Sequence, residues 1–228
     1  MIYITGDTHG DYRRFEEGAA RKLKKGDTLI ICGDFGFIWD GGEQEEKILR
    51  RLAKKKFTIA FVDGTHENFE RLNGYDATEW NGGKVHRIAE NIYHLMRGQL
   101  FTIEEKTIFT FGGGESPDKE MRTQANTWWE CEMPTLSEMR EGVDNLDKVG
   151  RSVDYIVTHE PPTRVRNMLD PKSNVLNALE AFLDELSTEV KFQKWFFGCV
   201  HIDRKITAKN YAVFREIIPT EPIVKKRR

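Results

Sequence analysis

A chain of 228 residues is long enough to bury a full hydrophobic core, and we expect it to form one domain over residues 1–228. Charged residues make up 32% of the chain and hydrophobic residues 39%, a balance that is ordinary for a soluble globular protein. The net charge of −2 gives no general attraction to nucleic acid or to an anionic membrane. No apolar run approaches the roughly 18 residues of a membrane span.

Cysteine usage and the two ends of the chain indicate a compartment. Cys32, Cys131 and Cys199 are widely spaced and odd in number, so no disulfide framework is indicated, and a reducing cytoplasm fits best. The first strand is predicted to begin at Ile2, which leaves no room for the basic and apolar regions of a leader peptide. The basic run Lys225-Lys226-Arg227-Arg228 is predicted to be a solvated tail.

The first third of the chain alternates short apolar runs with helical patterns. Strands are predicted at 2–5, 28–32 and 57–62, and helices at 12–24 and 43–55. This alternation of strands and helices predicts right-handed crossovers and a parallel sheet. The loops after the three strands then lie together at the carboxyl edge, where open α/β sheets bind ligands.

The rest of the chain begins with short β runs and returns to the alternating pattern. Strands are predicted at 91–95, 100–103 and 107–111, and the last two form a hairpin. His86 and His94 lie within or beside these runs and are interpreted as structural, and the Trp128-Trp129 pair is interpreted as packing. Helices are predicted at 135–149 and 174–190, and apolar runs at 154–158 and 195–201.

Five of the apolar runs end in a loop that carries Asp, His or Cys. In the first loop, Asp7 and His9 are two residues apart between Gly6 and Gly10, so both side chains can face one metal ion. A single pattern of this kind is also found in a capped turn with a solvated histidine. Its recurrence at five strand ends indicates a shared site, because two divalent cations about 3.5–4 Å apart need a bridging carboxylate flanked by imidazoles and oxygens.

The ordered motifs resemble those of the calcineurin-like metallophosphoesterase superfamily. They are Gly6-Asp7-Thr8-His9-Gly10, Gly33-Asp34, Gly64-Thr65-His66-Glu67, Thr158-His159 and Gly198-Cys199-Val200-His201. The resemblance implies an α/β fold of two facing mixed β sheets flanked by helices. It also implies a metal-dependent phosphatase or phosphodiesterase, in which hydroxide generated at the metal centre attacks phosphorus in line with the leaving group.

The resemblance further implies a role for each motif residue. Asp34 bridges two metals, His159 is a ligand of the second metal, and His66 protonates the leaving oxygen or stabilises charge on the phosphoryl group. Asp40, six residues after Asp34, is a candidate for orienting His66. The first metal is held by four residues, Asp7, His9, Asp34 and His201.

Two departures from the family pattern fall on the second metal. Thr65 replaces an asparagine ligand with a hydroxyl, a poorer ligand than an amide carbonyl. Cys199 replaces a histidine; its thiolate favours zinc or iron over manganese or magnesium. Alternatively, Cys199 is a small buried residue and the second site is weak or empty. We therefore expect one or two divalent ions of Mn, Fe or Zn, with Asn68 as a candidate contact to a phosphate oxygen or a partial replacement for the missing amide.

Three functions remain open at this point. The first is hydrolysis of a phosphoester substrate, and the second is a noncatalytic or weakly active metal-binding protein that serves as an interaction module, motivated by Thr65 and Cys199. The third, a nuclease, is disfavoured by the acidic balance and the lack of a basic groove interleaved with aromatic residues. Substrate selectivity is expected in loops 36–42 and 112–122, where Asp118 and Arg122 are candidates for lining the cleft.

Overall fold

The computed structural model of the protein describes residues 1–171 and 177–223, so the Lys225–Arg228 run and residues 174–176 of a predicted helix lie outside the described residues. The strands are β1 (Ile2–Thr5), β2 (Thr28–Cys32), β3 (Thr58–Val62), β4 (Ala77–Trp80), β5 (Gly83–Ala89), β6 (Ile92–Leu95), β7 (Gln99–Ile103), β8 (Lys106–Phe111), β9 (Tyr155–Thr158), β10 (Lys194–Phe197), β11 (Arg204–Lys205), β12 (Asn210–Ala212) and β13 (Ile218–Pro219). The α-helices are α1 (Glu43–Leu52), α2 (Phe69–Leu72), α3 (Lys119–Gln124), α4 (Leu136–Lys148), α5 (Thr163–Leu169) and α6 (Ala178–Glu189).

The strands form two mixed sheets. One has seven strands in the order β13-β1-β2-β3-β6-β5-β4, and the other has six in the order β11-β12-β10-β9-β8-β7. Strands β1, β2 and β3 are parallel neighbours, which confirms the predicted parallel arrangement, and β7 and β8 form the predicted antiparallel hairpin. In the second sheet β8, β9 and β10 are also parallel, so β9 and β10 present their carboxyl ends at one edge.

The described residues form three buried hydrophobic clusters, which lie between the two sheets and on their outer faces. Residues such as Ile30 of the first sheet pack against Ile108 and Val157 of the second, so the two sheets face each other across a shared core. The opposite faces of the sheets are covered by helices, as the resemblance implies. Because both faces of β2 are covered, all five of its residues are buried, and this explains its continuous apolar run.

The predicted helix at 12–24 is wrong. Residues there form two short 3₁₀ turns, Tyr12–Phe15 and Ala20–Lys22, separated by Gly18 with φ of 53°. A left-handed residue cannot continue a right-handed helix, so the helical pattern of apolar residues is interrupted there. By contrast, the predicted helix at 135–149 is confirmed as α4, and Thr135 and Glu138 form a capping box at its start.

No helix within residues 1–171 and 177–223 is long and apolar enough to cross a membrane. The architecture instead brings the carboxyl ends of β1, β2 and β3 near those of β9 and β10. Loops from both sheets therefore supply the polar residues of the site.

Candidate metal centre

Four predicted ligands of the first metal lie together. The ligand atoms of Asp7, His9, Asp34 and His201 all lie within 4.8 Å of one another. His9 Nε2 is 3.0 Å from His201 Nε2, and His201 Nε2 is 2.9 Å from Asp7 Oδ2. The four residues, which we call the quartet, come from the loops after β1, β2 and β10, so both sheets contribute to one cluster.

The backbone of the quartet is held in an unusual conformation. His9, Asp34 and His201 have φ values of 45°, 43° and 51°, in the left-handed region that residues other than glycine rarely adopt. Such residues cost on the order of 1–3 kcal/mol each and persist where the surrounding structure enforces them. Here the carbonyl of Asp34 accepts hydrogen bonds from the amides of Thr8 and His9 at 3.1 and 2.9 Å, which ties the first two loops together. Strain at three of the four candidate ligand residues is typical of a functional site.

The carboxylate of Asp7 provides a test of whether a metal ion fits. Asp7 is 1% exposed, and neither of its oxygens receives a hydrogen bond of ordinary geometry from the described residues. A buried carboxylate without donors is costly, and a bound cation would compensate both oxygens. Two imidazoles and two carboxylates form a donor set that suits Mn, Fe or Zn. The quartet therefore fits one divalent ion.

Three motif glycines make room for ligand side chains. A Cβ atom on Gly198 would lie 2.0 Å from Asp7 Oδ1, and one on Gly64 would lie 2.1 Å from Asp34 Oδ1. A Cβ on Gly33 would lie 2.0 Å from His159 Nδ1. A side chain at any of these positions would displace a carboxylate or an imidazole of the site. Glycine is needed at Gly64 and Gly198 for space rather than for a left-handed backbone.

His159, the predicted ligand of the second metal, is oriented by the backbone. It is buried, and its Nδ1 donates to the carbonyl of Cys32 at 3.0 Å, which leaves Nε2 as the ligand atom, 3.9 Å from Asp34 Oδ1. This is the support that metal-ligating histidines usually have. Burial by itself lowers the pKa of His159, but the carboxylates of Asp34 and Asp7 outweigh it and raise that pKa.

The structure places Thr65 and Cys199 in other contacts. Thr65 Oγ1 lies 3.0 Å from His66 Nδ1, and Cys199 Sγ donates to Glu160 Oε2 at 3.1 Å. Burial raises the pKa of the Cys199 thiol, which favours the thiol over the thiolate. Neither residue belongs to the quartet. Their roles as ligands of a second metal stay predictions.

His66 stands at the mouth of the site between two carboxylates. Its amide donates to Asp34 Oδ1 at 2.7 Å, its Nδ1 lies 3.0 Å from Asp34 Oδ2, and its Nε2 lies 3.6 Å from Asp118 Oδ2. The hydrogen bond to Asp34 raises the pKa of His66. Asp40, the predicted orienting residue, is exposed and accepts a hydrogen bond from the amide of Gly42 at 2.7 Å. The described carboxylate neighbours of His66 are thus Asp34 and Asp118.

The two predicted substrate residues make structural contacts. Asn68 caps α2, because its Oδ1 accepts from the amide of Arg71 at 3.1 Å, and its Nδ2 donates to the carbonyl of Trp39 at 2.6 Å. Arg122 is 5% exposed and donates to the carbonyl of Thr65 at 2.8 Å. Arg122 therefore supports the loop that carries His66. Contact of Asn68 or Arg122 with substrate stays a prediction.

Sequence reasoning missed the residues that surround Cys199. Arg166 Nη2 lies 3.7 Å from Cys199 Sγ and contacts Glu160, while Arg166 Nε lies 2.7 Å from Glu180 Oε1. Glu160 could have been noticed because it directly follows His159. Arg166 and Glu180 carry no signal in the sequence, because they meet only when α5 packs against α6.

Two mixed sheets that bring two carboxylates and two imidazoles to one edge define an α/β sandwich with a candidate metal centre. The family model of the calcineurin-like phosphoesterases matches residues 1–217 of the 228, and the chain belongs to that family. A search of curated proteins finds no match to this chain.

Proposed function

We propose that the protein is a metal-dependent hydrolase of phosphoesters. One observation carries the proposal: the quartet gathers two carboxylates and two imidazoles, and neither oxygen of the buried Asp7 receives a hydrogen bond of ordinary geometry from the described residues. Membership of the calcineurin-like phosphoesterase family supports the same chemistry. The proposed substrate is a phosphoester, and the proposed cofactor is a divalent ion of Mn, Fe or Zn.

A divalent cation bound at the quartet would polarise a phosphoryl oxygen and lower the pKa of a coordinated water. The protein supplies the orientation of its ligands. Asp34 is fixed by the amide and the ring of His66, and His159 is fixed by the carbonyl of Cys32. Fixed ligands need little reorganisation when the charge on the phosphoryl group develops, which favours catalysis.

His66 is the proposed general acid. Its Nδ1 is held by Asp34, so its Nε2 is free to hold a proton toward the oxygen of the leaving alcohol. Asp118 lies on the Nε2 side of the ring, where its negative charge favours the protonated imidazole. Arg122 supports this arrangement through the carbonyl of Thr65.

A second candidate function is a noncatalytic or weakly active metal-binding protein that serves as an interaction module. The contact between Cys199 and Glu160 favours it, because this contact occupies the thiol that the second metal would need. Under either function we propose a cytoplasmic location, which the three free cysteines support.

The two functions are separated by one set of measurements. Purified protein loaded with Mn²⁺ is assayed on p-nitrophenyl phosphate and bis(p-nitrophenyl) phosphate, and bound metal is counted by elemental analysis. A hydrolase turns over at least one of the two esters, and His66→Ala lowers its kcat by about 100-fold or more while metal content is unchanged. One tightly bound ion without turnover, with activity appearing in Cys199→His, would instead support the interaction module.

A further inference from the structure

A cavity of about 360 Å³ lies beside the quartet and reaches His66. Asp34 and His201 form the part of its wall that faces the metal centre. A phosphoester bound with its phosphoryl group between the quartet and His66 would have this cavity beside it for its remaining atoms. Four further lining residues carry the argument: Glu115, Glu160, Arg166 and Glu180.

The charge of this wall is negative. Glu115, Glu160 and Glu180 contribute carboxylates, and among the described lining residues Arg166 is the one Lys or Arg. Arg166 lies between two of these carboxylates: it contacts Glu160, and its Nε is 2.7 Å from Glu180 Oε1. Its positive charge is therefore already shared by two partners. The wall therefore keeps a net negative charge, which attracts a positively charged group of a ligand.

Glu180 supplies a second, independent observation. It is 1% exposed, and its Oε2 receives no hydrogen bond from any residue in the described ranges. The approach of Arg166 reaches Oε1 and is not aligned as a hydrogen bond. A buried carboxylate oxygen without a donor is costly, so a ligand that brings a donor to this oxygen gains the free energy of that contact.

We propose that this cavity selects small phosphomonoesters whose alcohol portion carries an ammonium group. The inference rests on the proposed hydrolase function and specifies its substrate class. An ammonium group offers three donors and a positive charge to Glu180 and Glu160. A carboxylate or a second phosphate in the same place would be repelled by the same oxygens. A neutral hydroxyl group carries no charge to be attracted or repelled, so an ester that bears one should be selected less than the ammonium ester and more than the carboxylate ester.

A series of three esters of similar size tests the preference in the wild-type protein. The substrates are phosphoethanolamine, 2-hydroxyethyl phosphate and 2-phosphoglycolate, with p-nitrophenyl phosphate as the reference for general activity. We expect kcat/KM to decrease in that order, with about a tenfold or larger ratio between the ammonium and the carboxylate ester. Equal values, or a preference for 2-phosphoglycolate, would overturn the inference.

A substitution in the wall tests the assigned residue. Glu180→Gln removes one negative charge, so we expect it to reduce the ammonium-to-carboxylate ratio of kcat/KM by about tenfold. Glu185→Gln is the matched control, since Glu185 lies exposed on the same helix α6. We expect the control to keep the wild-type ratio. A soluble, folded Glu180→Gln protein with an unchanged ratio would remove Glu180 from the proposal.

Equilibrium binding separates this inference from the proposed function. Titration calorimetry compares 2-aminoethylphosphonate with phosphonoacetate, neither of which contains an ester bond to hydrolyse. We expect the ammonium compound to bind the Mn²⁺-loaded wild-type protein about tenfold or more tightly. No turnover of any ester, together with this binding preference, would contradict the hydrolase and support the selectivity. Turnover of p-nitrophenyl phosphate, together with tighter binding of phosphonoacetate, would support the hydrolase and contradict the selectivity for an ammonium group.

Discussion

Two pairs of histidines in this protein have nearly the same local geometry and very different surroundings. His9 and His201 approach with their Nε2 atoms 3.0 Å apart, and His86 and His94 approach with their Nδ1 atoms 3.0 Å apart. Each pair lies next to a carboxylate that is 1% exposed, Asp7 in the first case and Asp63 in the second. The spacing of two imidazoles beside a carboxylate therefore does not define a metal site by itself.

The difference lies in what satisfies the carboxylate. Arg97 donates to Asp63 Oδ2 at 2.6 and 2.9 Å, and His94 Nε2 donates to Asp63 Oδ1 at 3.1 Å. With its Nε2 donating, His94 accepts at Nδ1 and His86 donates to it. The pair at His86 and His94 is thus a complete hydrogen-bond chain, as expected of structural histidines. Asp7 has no arginine partner of this kind among the described residues; His201 Nε2 lies 2.9 Å from its Oδ2, but neither oxygen receives a hydrogen bond of ordinary geometry, which leaves its charge for a cation.

The largest effect is expected from breaking the structural pair. Asp63→Asn leaves the buried guanidinium of Arg97 with Glu138, 3.4 Å away and partly exposed, as its remaining charged partner in the described residues, so we expect the free energy of unfolding to fall by about 3 kcal/mol. Urea denaturation of the metal-free protein measures the change. If Asp63→Asn were as stable as wild type, Arg97 would not depend on Asp63 and the contrast with Asp7 would fail.

Asp7→Asn is the corresponding change at the metal centre. It removes a buried charge that receives no hydrogen bond of ordinary geometry from the described residues, so we expect the metal-free protein to keep its stability or to gain some. Metal binding and phosphoesterase activity are expected to fall by about 100-fold or more, since a ligand is lost. Mn²⁺ titration and kcat/KM measure these losses. Retention of tight metal binding in Asp7→Asn would contradict the assignment of the quartet.

Adding a metal ion sharpens the same comparison. A ligand that binds only the folded state stabilises it by about 2.7 kcal/mol at a free concentration 100 times its Kd. We expect Mn²⁺ to raise the Tm of the wild-type protein and EDTA to reverse the increase. The increase should be absent in His9→Ala and should persist in His86→Gln, because only the first variant removes a ligand of the quartet. Loss of the Tm shift in His86→Gln would show that the two pairs are coupled.

The smallest effect is a pH dependence of stability that originates at the structural pair. Burial, with a contribution from His94, lowers the pKa of His86 to about 4, whereas the unfolded chain keeps a value near 6.5. Between these two pKa values His86 is protonated in the unfolded chain and neutral in the folded protein. The contribution of His86 to the free energy of unfolding is therefore fully present above pH 6.5 and is lost as the pH falls toward 4. We expect a loss on the order of 1–2 kcal/mol in wild type and a flatter profile in His86→Gln, measured by denaturation at several pH values. An identical profile in both proteins would exclude His86 as the source.

Sequence reasoning reached the quartet because its residues follow strands of regular spacing. Asp7 and Asp34 each come directly after a buried parallel strand, and the carboxyl ends of neighbouring parallel strands meet at one edge. His201 could be placed with them because the Gly-x-x-His pattern after a later apolar run completes the family motif. For these residues, the position expected from the local sequence pattern agrees with the position in the fold.

Other features depend on contacts between distant segments. Asn68 donates to the carbonyl of Trp39, which lies 29 residues earlier in the chain, while its Oδ1 caps α2. Arg166 and Glu180 meet across two helices, so neither residue marks the cavity in the linear chain.

The sequence by itself therefore predicted the family, the parallel arrangement of β1, β2 and β3 and the four residues of the quartet, because each follows from a short pattern tied to the end of a strand. Only the tertiary structure decided that Arg97 satisfies Asp63 while Asp7 receives no hydrogen bond of ordinary geometry from the described residues, and that the cleft beside the quartet has an acidic wall. The physical reason is that burial and charge compensation depend on which side chains from distant segments fill the same space.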